Sequence, residues 1–374
     1  MKDNFDDIRP YNDDELPEAM RRIADWDLFP QVIRFIYPNA DIAKEREKLL
    51  SIRSVHQFQS TLMNDAIRRI IATTTSGFTH SGLQHLRRGV PYLFIANHRD
   101  ITLDAFLLQH LLLEHRDETS HIVFGNNLLS MPVMEDLFRS NKLIPMARGG
   151  SPRAFYDSLL HLSLYLSDLV TVQHQSAWIA QNNGRAKDGH DVTAPALIKM
   201  LTLSRPDDPL QALADLHLVP LTISYEWDPC DLMKATELYC RRHGDYQKKP
   251  HEDLKSVVTG IIGHKGKVHL AIGAPLSCRE LTPPAGMQLF EHVATVLDRH
   301  IQGNYRLMPT NYVAHSLLTG IEQHGRYTEL TRSQFLQRLE ALPEPEMRQI
   351  MIETYAAPVT VSRRQANQKS ALQN

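Results

Sequence analysis

Short apolar runs that alternate with amphipathic segments fill the middle of this 374-residue chain. Each run is five to nine residues long, and the segments between them carry apolar residues at the spacing of a helix. The runs predict strands at 92–96, 121–125, 142–146, 176–180, 216–224 and 267–273. Because alternating strands and helices stack as a sheet between helical layers, we predict an α/β fold with a central, mostly parallel or mixed sheet flanked by helices.

Helical patterns flank this region on both sides. We predict a helical N-terminal extension over residues 1–78, the α/β domain over 79–280 and a helical C-terminal cap over 281–357. Residues 358–374 are polar and lack periodicity, which predicts a flexible tail. The basic helical segment at 64–74 is a candidate for contact with a lipid surface, although ordinary packing against the protein is the favoured interpretation.

Charge and cysteine content narrow the possible partners. The net charge of −2 gives no overall attraction for nucleic acid, so any anion-binding site must be local. Three scattered cysteines predict neither a disulfide framework nor a metal site, and they suit a reducing cytosol. The acidic N-terminus does not resemble a signal peptide, and no apolar run is long enough to span a bilayer. We therefore expect a cytoplasmic protein, with peripheral contact at the cytoplasmic face of the membrane as an open alternative.

The run at 92–96 ends abruptly in a polar turn, Asn97-His98-Arg99-Asp100, and Asp104 follows in the next apolar segment. Ligands usually bind where the strands of an α/β sheet end. A histidine there can act as a general base toward an alcohol or water, while a nearby carboxylate fixes its tautomer and stabilises the imidazolium. An ordinary solvated turn has a similar composition, and this segment taken alone favours that simpler interpretation.

Two further predicted strands also run into polar turns. The strand at 142–146 leads to Arg148 in a glycine-rich loop, and the guanidinium fork matches phosphate oxygens. The helical pattern that follows would add backbone N–H groups at its N-terminus. The strand at 176–180 leads to Asn183, Gly184, Arg185 and Lys187, a second candidate anion cradle. A solvated polar loop is the alternative for each turn.

These segments, with Val219 and Pro220 inside the strand at 216–224, resemble the phospholipid/glycerol acyltransferase family, whose members acylate glycerol-3-phosphate and lysophosphatidate. The positions that match the family's four sequence blocks are Asn97 with His98, then Arg148, then Gly184, then Val219 with Pro220. The resemblance covers roughly residues 80–275. It implies the family's α/β fold and its acyl-transfer activity.

Two positions depart from the family's pattern. The aspartate that follows the histidine is one residue further along, at Asp104, so either Asp104 or Asp100 supports His98. Asp104 is favoured, because the helical segment continues from it as it does from the family's aspartate. The family's glutamate in the third block is replaced by Asn183, whose amide accepts a hydrogen bond but carries no charge.

The resemblance implies transfer of an acyl group from acyl-CoA or acyl carrier protein to a hydroxyl of a glycerophosphate-type acceptor. His98 would be the general base, Asp104 or Asp100 would orient it, and Asn97 would position the turn or a ligand. The candidate substrate contacts are Arg99, Arg148, Asn183, Gly184, Arg185 and Lys187. A thioester supplies its own driving force, so no metal or redox cofactor is expected.

Two other classes of protein remain as alternatives. A thioester or ester hydrolase would use His98 to activate water instead of an acceptor hydroxyl. A non-catalytic acyl-chain or lipid-binding protein is compatible with the shifted aspartate and the missing glutamate. A nucleotide-binding protein is not supported, because neither a Gly-x-Gly-x-x-Gly nor a Walker sequence is present.

Overall fold

A seven-stranded sheet forms the centre of the protein, described here from a computed structural model that covers residues 5–128, 132–244 and 246–373. Its strands are β1 (Thr75–Ser81), β2 (Leu93–Ala96), β3 (His121–Gly125), β4 (Leu143–Met146), β5 (Ala177–Ala180), β6 (Leu218–Tyr225) and β7 (Gly266–Ile272). The spatial order is β1-β7-β6-β2-β5-β3-β4, and every neighbouring pair is parallel except β6 and β7. This mixed sheet confirms the predicted fold class.

Each of the six predicted strands forms, with boundaries that differ by at most two residues. Strand β1 is the one the sequence pattern missed among the described residues. Its side chains are mostly exposed, because it lies at the edge of the sheet and pairs only with β7. A polar edge strand lacks the apolar run by which a buried strand is recognised.

Pro220 lies in a central strand, where proline is unusual. Its carbonyl accepts a hydrogen bond from Gly273 N–H, and β7 has ended by that residue, at Ile272. The missing proline N–H therefore falls at the end of the β6–β7 ladder, beyond which Leu276 N–H still donates a hydrogen bond to Leu218 O.

Helices cover both faces of the sheet, and further helices precede and follow the strands along the chain. The N-terminal helices are α1 (Leu16–Ala24), α2 (Phe29–Ile36), α3 (Ile42–Ser51), α4 (Val55–Phe58) and α5 (Asn64–Thr74), with a π-helical turn at Gln59–Met63. The helices between strands are α6 (Leu103–Arg116), α7 (Pro132–Ser140), α8 (Pro152–Thr171), α9 (Pro195–Leu201), α10 (Pro209–Asp215), α11 (Asp231–Arg242) and α12 (Glu252–Ile262). The remaining helices are α13 (Cys278–Leu281), α14 (Leu289–Gly303), α15 (Pro309–Thr319), α16 (Glu329–Glu340) and α17 (Pro345–Gln373).

Alternate residues of β2 enter opposite layers of the core. Leu93 and Ile95 pack with α8, α9 and α14 on one face of the sheet. Phe94 and Ala96 pack with α5 and α6 on the other. The basic segment 64–74 belongs to this second layer, since Ile67 and Ile70 are buried in it, as its favoured interpretation required. Both faces of β2 are therefore dry, and its polar residues begin where the strand ends.

The two ends of the chain have hydrophobic clusters of their own. Helices α1 to α4 bury one cluster, which includes Met20 and Phe58. Helices α15 to α17 bury another around Trp227 and Phe335. Helix α14, predicted as part of the C-terminal cap, packs instead on the sheet with α8 and α9. Among the described residues, no helix is both long and apolar enough to cross a membrane.

The segment 358–374, predicted as a flexible tail, is helical in its described part, because α17 continues through Pro358 to Gln373; residue 374 lies outside the described residues. Burial of Ala356 and Val359 supplies packing that the polar composition of the segment did not indicate. Pro358 removes the N–H that would bond to the Thr354 carbonyl. Gly189 lies directly against that carbonyl, since a Cβ at Gly189 would be 2.2 Å from Thr354 O. The loop that follows β5 thus docks on α17 at the proline.

Candidate active site

The polar turns singled out in the sequence meet at one edge of the sheet. Strands β6, β2, β5, β3 and β4 are mutually parallel, so their carboxyl ends lie on the same side. His98 follows β2, and the loop that contains Arg185 follows the adjacent strand β5. Ala186 N–H donates a hydrogen bond to the His98 carbonyl at 2.8 Å, which joins the two turns directly.

His98 and Asp104 form a hydrogen-bonded pair. The distance from His98 Nδ1 to Asp104 Oδ2 is 2.9 Å, and the Asp104 side chain is 1% exposed. A carboxylate at Nδ1 favours the tautomer with the proton on that nitrogen, which leaves the Nε2 lone pair available. Nε2 makes no hydrogen bond to any residue that the structure describes, and the His98 side chain is 14% exposed. The imidazole is therefore oriented on one side and open on the other.

Asp104 is held by four donors in all. Its Oδ2 also accepts hydrogen bonds from the backbone N–H groups of Arg99, at 2.5 Å, and Asp100, at 2.9 Å. Its Oδ1 accepts one from the Tyr225 hydroxyl at 2.8 Å. The carboxylate lies in the first turn of α6, where the helix dipole favours negative charge. The spacing from His98 to Asp104 is one residue longer than in the family's pattern. The loop accommodates this residue by folding around the Asp104 carboxylate.

Asp100 has a different environment from Asp104. Its Oδ1 accepts hydrogen bonds from Thr102 N–H and Leu103 N–H, both at 2.9 Å, and so caps the start of α6. Its Oδ2 is buried without a hydrogen-bond partner among the described residues. Burial, followed by the nearby Asp104 charge, raises the pKa of Asp100. Asp100 is therefore a capping residue that does not contact the His98 ring through a hydrogen bond.

Asn97 and Arg99 point into the protein. Asn97 is fully buried; its amide donates to Ile223 O at 3.0 Å and to Asp191 Oδ2 at 3.2 Å, and it accepts from Ile223 N–H at 2.7 Å. Arg99 pairs with the same Asp191 carboxylate at 2.6 Å and donates to Gly189 O at 3.2 Å. Both side chains tie β2 to the loop that follows β5. Their predicted roles toward substrate have no counterpart in this geometry.

The basic residues of the two predicted anion cradles differ in how they are paired. Lys187 forms an ion pair with Glu237, and the same carboxylate also pairs with Arg241. Arg185 donates from Nη2 to Ser256 Oγ at 3.2 Å, and its Nη1 is buried without a partner among the described residues. Asn183 and Gly184 lie beside it, and Asn183 is exposed.

Arg148 is exposed and makes no ion pair with the residues that the structure describes. Its guanidinium lies over Gly125 at the end of β3, since a Cβ there would be 2.1 Å from Arg148 Nε. Strand β3 is two positions from β2, which corresponds to roughly 10 Å across the sheet. Neither Arg148 nor Arg185 forms an ion pair among the described residues, although Asp253 is near enough to interact electrostatically with both.

Part of the chain is similar in sequence to known acyltransferases. Residues 77–193 match the family model described as Acyltransferase, and this range includes His98, Asp104, Arg148 and Arg185. A crystal structure of the 1-acyl-sn-glycerophosphate (LPA) acyltransferase PlsC from Thermotoga maritima aligns with 76% of this chain and 92% of its own, at 13% identity and a TM-score of 0.37. No curated protein matches the chain by sequence.

Three residues of the acyltransferase site were missed by the sequence analysis. Tyr225, the last residue of β6, bonds to Asp104; Asp191 holds the loop to Arg99; and Trp178 packs its ring edge-on to His98, with centroids 5.7 Å apart. Tyr225 had a usable signal, because it is a polar-tipped residue at the end of a strand on the same edge. Asp191 could have been sought as the carboxylate that a buried arginine requires.

Proposed function

We propose that this acyltransferase moves a fatty acyl group from a thioester, acyl-CoA or acyl carrier protein, to a hydroxyl of a glycerophosphate-type acceptor such as lysophosphatidate or glycerol-3-phosphate. The reaction belongs to phospholipid biosynthesis and takes place at the cytoplasmic face of the membrane. The observation that carries the proposal is the open Nε2 of His98, opposite a nitrogen fixed by Asp104.

His98 acts as the general base in this reaction. Its Nε2 takes the proton of the acceptor hydroxyl while that oxygen attacks the thioester carbonyl carbon. The buried Asp104 charge, 2.9 Å from Nδ1, stabilises the imidazolium that forms. The carbon–sulfur bond then breaks, and the imidazolium returns the proton to the departing thiolate. No acyl-enzyme intermediate is required, because the acceptor oxygen attacks directly.

The acceptor phosphate binds between Arg148 and Arg185. These guanidinium groups lack a carboxylate partner among the described residues, in contrast to Arg99 and Lys187. Charge-assisted hydrogen bonds to a phosphate would hold the acceptor hydroxyl in place, so proximity lowers part of the barrier. Lys187 is less available to a phosphate than the sequence pattern indicated, because its ammonium group is already bound to Glu237.

Thiol release and lipid products, measured together, test this function. Purified protein is incubated with a long-chain acyl-CoA or acyl carrier protein, with and without lysophosphatidate or glycerol-3-phosphate, and the products are identified by mass spectrometry. We expect thiol release that depends on the acceptor and an acylated glycerophosphate as the product.

The His98→Ala variant is the matched control, because it removes the base and leaves the Asp104 framework in place. We expect its turnover to fall by about two to four orders of magnitude. Fatty acid release that does not need an acceptor would indicate a hydrolase instead. Unchanged turnover in His98→Ala would exclude His98 as the base.

A further inference from the structure

Helix α12 lies across the edge of the sheet where the candidate site is built. Its residues at 253, 256 and 260 share one face and contact the site's turns. Asp253 accepts a hydrogen bond from Asn127 at 2.6 Å, and Ser256 accepts one from Arg185. Gly260 lies against Asp100, since a Cβ there would be 2.1 Å from Asp100 Oδ2. These three contacts of α12 are made by small or polar residues, whereas Ile261 of the same helix packs against the hydrophobic cluster that contains Phe94 and Ala96.

The opposite face of α12 is apolar and exposed. Leu254, Val258 and Ile262 are spaced four residues apart and form one stripe along the helix. Their exposed fractions are 43%, 47% and 59%. A surface helix of a globular protein normally turns its apolar stripe to the core and its polar side to water. Helix α12 turns Ile261 to the core, but it leaves Leu254, Val258 and Ile262 uncovered by the protein.

Exposed lysines lie close to this stripe in the chain. Lys249, Lys255 and Lys267 are exposed, whereas Lys248 forms an ion pair with Asp253. The two carboxylates of the segment, Glu252 and Asp253, are partly buried and already hydrogen-bonded to protein groups. The whole chain carries a net charge of −2, so this local excess of lysine is not a general property of its surface.

We propose that the outer face of α12 binds the surface of a bilayer that contains anionic lipids. The stripe of Leu254, Val258 and Ile262 enters the boundary between headgroups and acyl chains, while the lysines contact lipid phosphates. A symmetric contact with a second copy of the chain is disfavoured, because it would place one set of lysines against another. This surface deepens the proposed function: it puts the His98 turn about one helix diameter, roughly 10 Å, from the lipid that supplies the acceptor.

Vesicle binding by the full chain tests the surface. Wild type is compared with a variant that combines Leu254→Ser, Val258→Ser and Ile262→Ser, in flotation with phosphatidylcholine vesicles with and without phosphatidylglycerol. We expect wild type to bind the anionic vesicles and the variant's partition coefficient to fall by about tenfold or more. Lys249→Glu with Lys255→Glu should weaken binding most at low salt.

The control variant combines Ile321→Ser, Leu330→Ser and Leu336→Ser, which removes apolar residues that are equally exposed in the C-terminal helical region. It should bind vesicles as wild type does, and thermal unfolding should show that both triple variants fold. Equal binding by the α12 variant, or no binding by wild type, would overturn the proposal. So would light scattering that shows a wild-type dimer and a monomeric α12 variant, since a second copy would then cover the stripe.

A failure of the proposed acyl-transfer function would give a different experimental result from a failure of the α12 membrane surface. Activity is measured in parallel with water-soluble glycerol-3-phosphate in the absence of vesicles. If wild type binds vesicles through α12 but transfers no acyl group to any acceptor, the surface is supported and the acyl-transfer proposal is wrong. If the α12 variant keeps its activity with the soluble acceptor and loses it with lysophosphatidate in vesicles, both proposals are supported.

Discussion

Replacing Asp104 with asparagine removes one charge and little else. The asparagine oxygen can still accept the backbone N–H groups of Arg99 and Asp100, as the carboxylate Oδ2 does. The amide nitrogen then faces Tyr225, whose hydroxyl can rotate to accept a hydrogen bond. The loop around His98 should therefore keep its shape, and the kinetic effect should report the lost charge.

The size of that effect follows from the geometry of the pair. The Asp104 oxygen is 2.9 Å from His98 Nδ1. Two unit charges about 4 Å apart at an effective dielectric constant of about 20 attract each other by about 4 kcal/mol. If this attraction stabilises the imidazolium in the transition state, its loss lowers kcat/KM by about three orders of magnitude.

Asp100→Asn is the matched control for this measurement. Its side-chain oxygen can still cap α6, so we expect kcat/KM for acyl transfer to stay within about tenfold of wild type. The pKa of Asp100 is raised by burial and by Asp104, so its ionised form destabilises the folded state, and stability falls as pH rises above the ordinary aspartate value. Asparagine removes that pH-dependent cost. The variant should unfold at the same or a higher temperature than wild type near neutral pH, and the difference should vanish below about pH 4.

The comparison of the two variants can refute the assignment. Equal losses of kcat/KM in Asp104→Asn and Asp100→Asn would mean that the charge beside Nδ1 is not what stabilises the imidazolium. A loss of less than about threefold in Asp104→Asn would remove Asp104 from the mechanism altogether, since even a weakly coupled charge at this distance exceeds that value.

Further variants test individual contacts. Tyr225→Phe leaves the buried Asp104 Oδ1 without its donor, so it should lower the free energy of unfolding by about 1–3 kcal/mol in a denaturant titration, and unchanged stability would contradict this. Arg148→Ala should raise the acceptor KM by about tenfold or more and leave the donor KM unchanged, whereas equal rises in both would assign Arg148 to the donor. Gly260→Ala places a methyl group 2.1 Å from Asp100 Oδ2 and should lower the free energy of unfolding by about 1–3 kcal/mol in a denaturant titration, because α12 must shift; wild-type stability would show that the contact is not tight.

The buried strands were predictable from the chain because each one is dry on both faces. In β2, Leu93 to Ala96 are all buried, and a continuous apolar run is the only composition that such a position tolerates. The exposed edge strand β1 does not need apolar side chains, so its sequence resembles that of a polar linker. The helical path of α17 through Pro358 was not predictable for a related reason, since the loop at Gly189 that packs against Thr354 and Ala357 is distant in the sequence.

Local sequence also placed the His98–Asp104 pair, because the two residues are six positions apart and a single loop joins them. The local sequence did not show in the same way which basic side chains lack a carboxylate partner. Arg99 and Lys187 look as suitable for a phosphate as Arg148 and Arg185, and they differ only in having a buried carboxylate beside them. The partner carboxylates, Asp191 and Glu237, lie 92 and 50 residues further along. Whether residues so far apart in the chain form an ion pair depends on the order of the strands in the sheet. Local sequence therefore could not predict these pairs, and only the tertiary structure shows them.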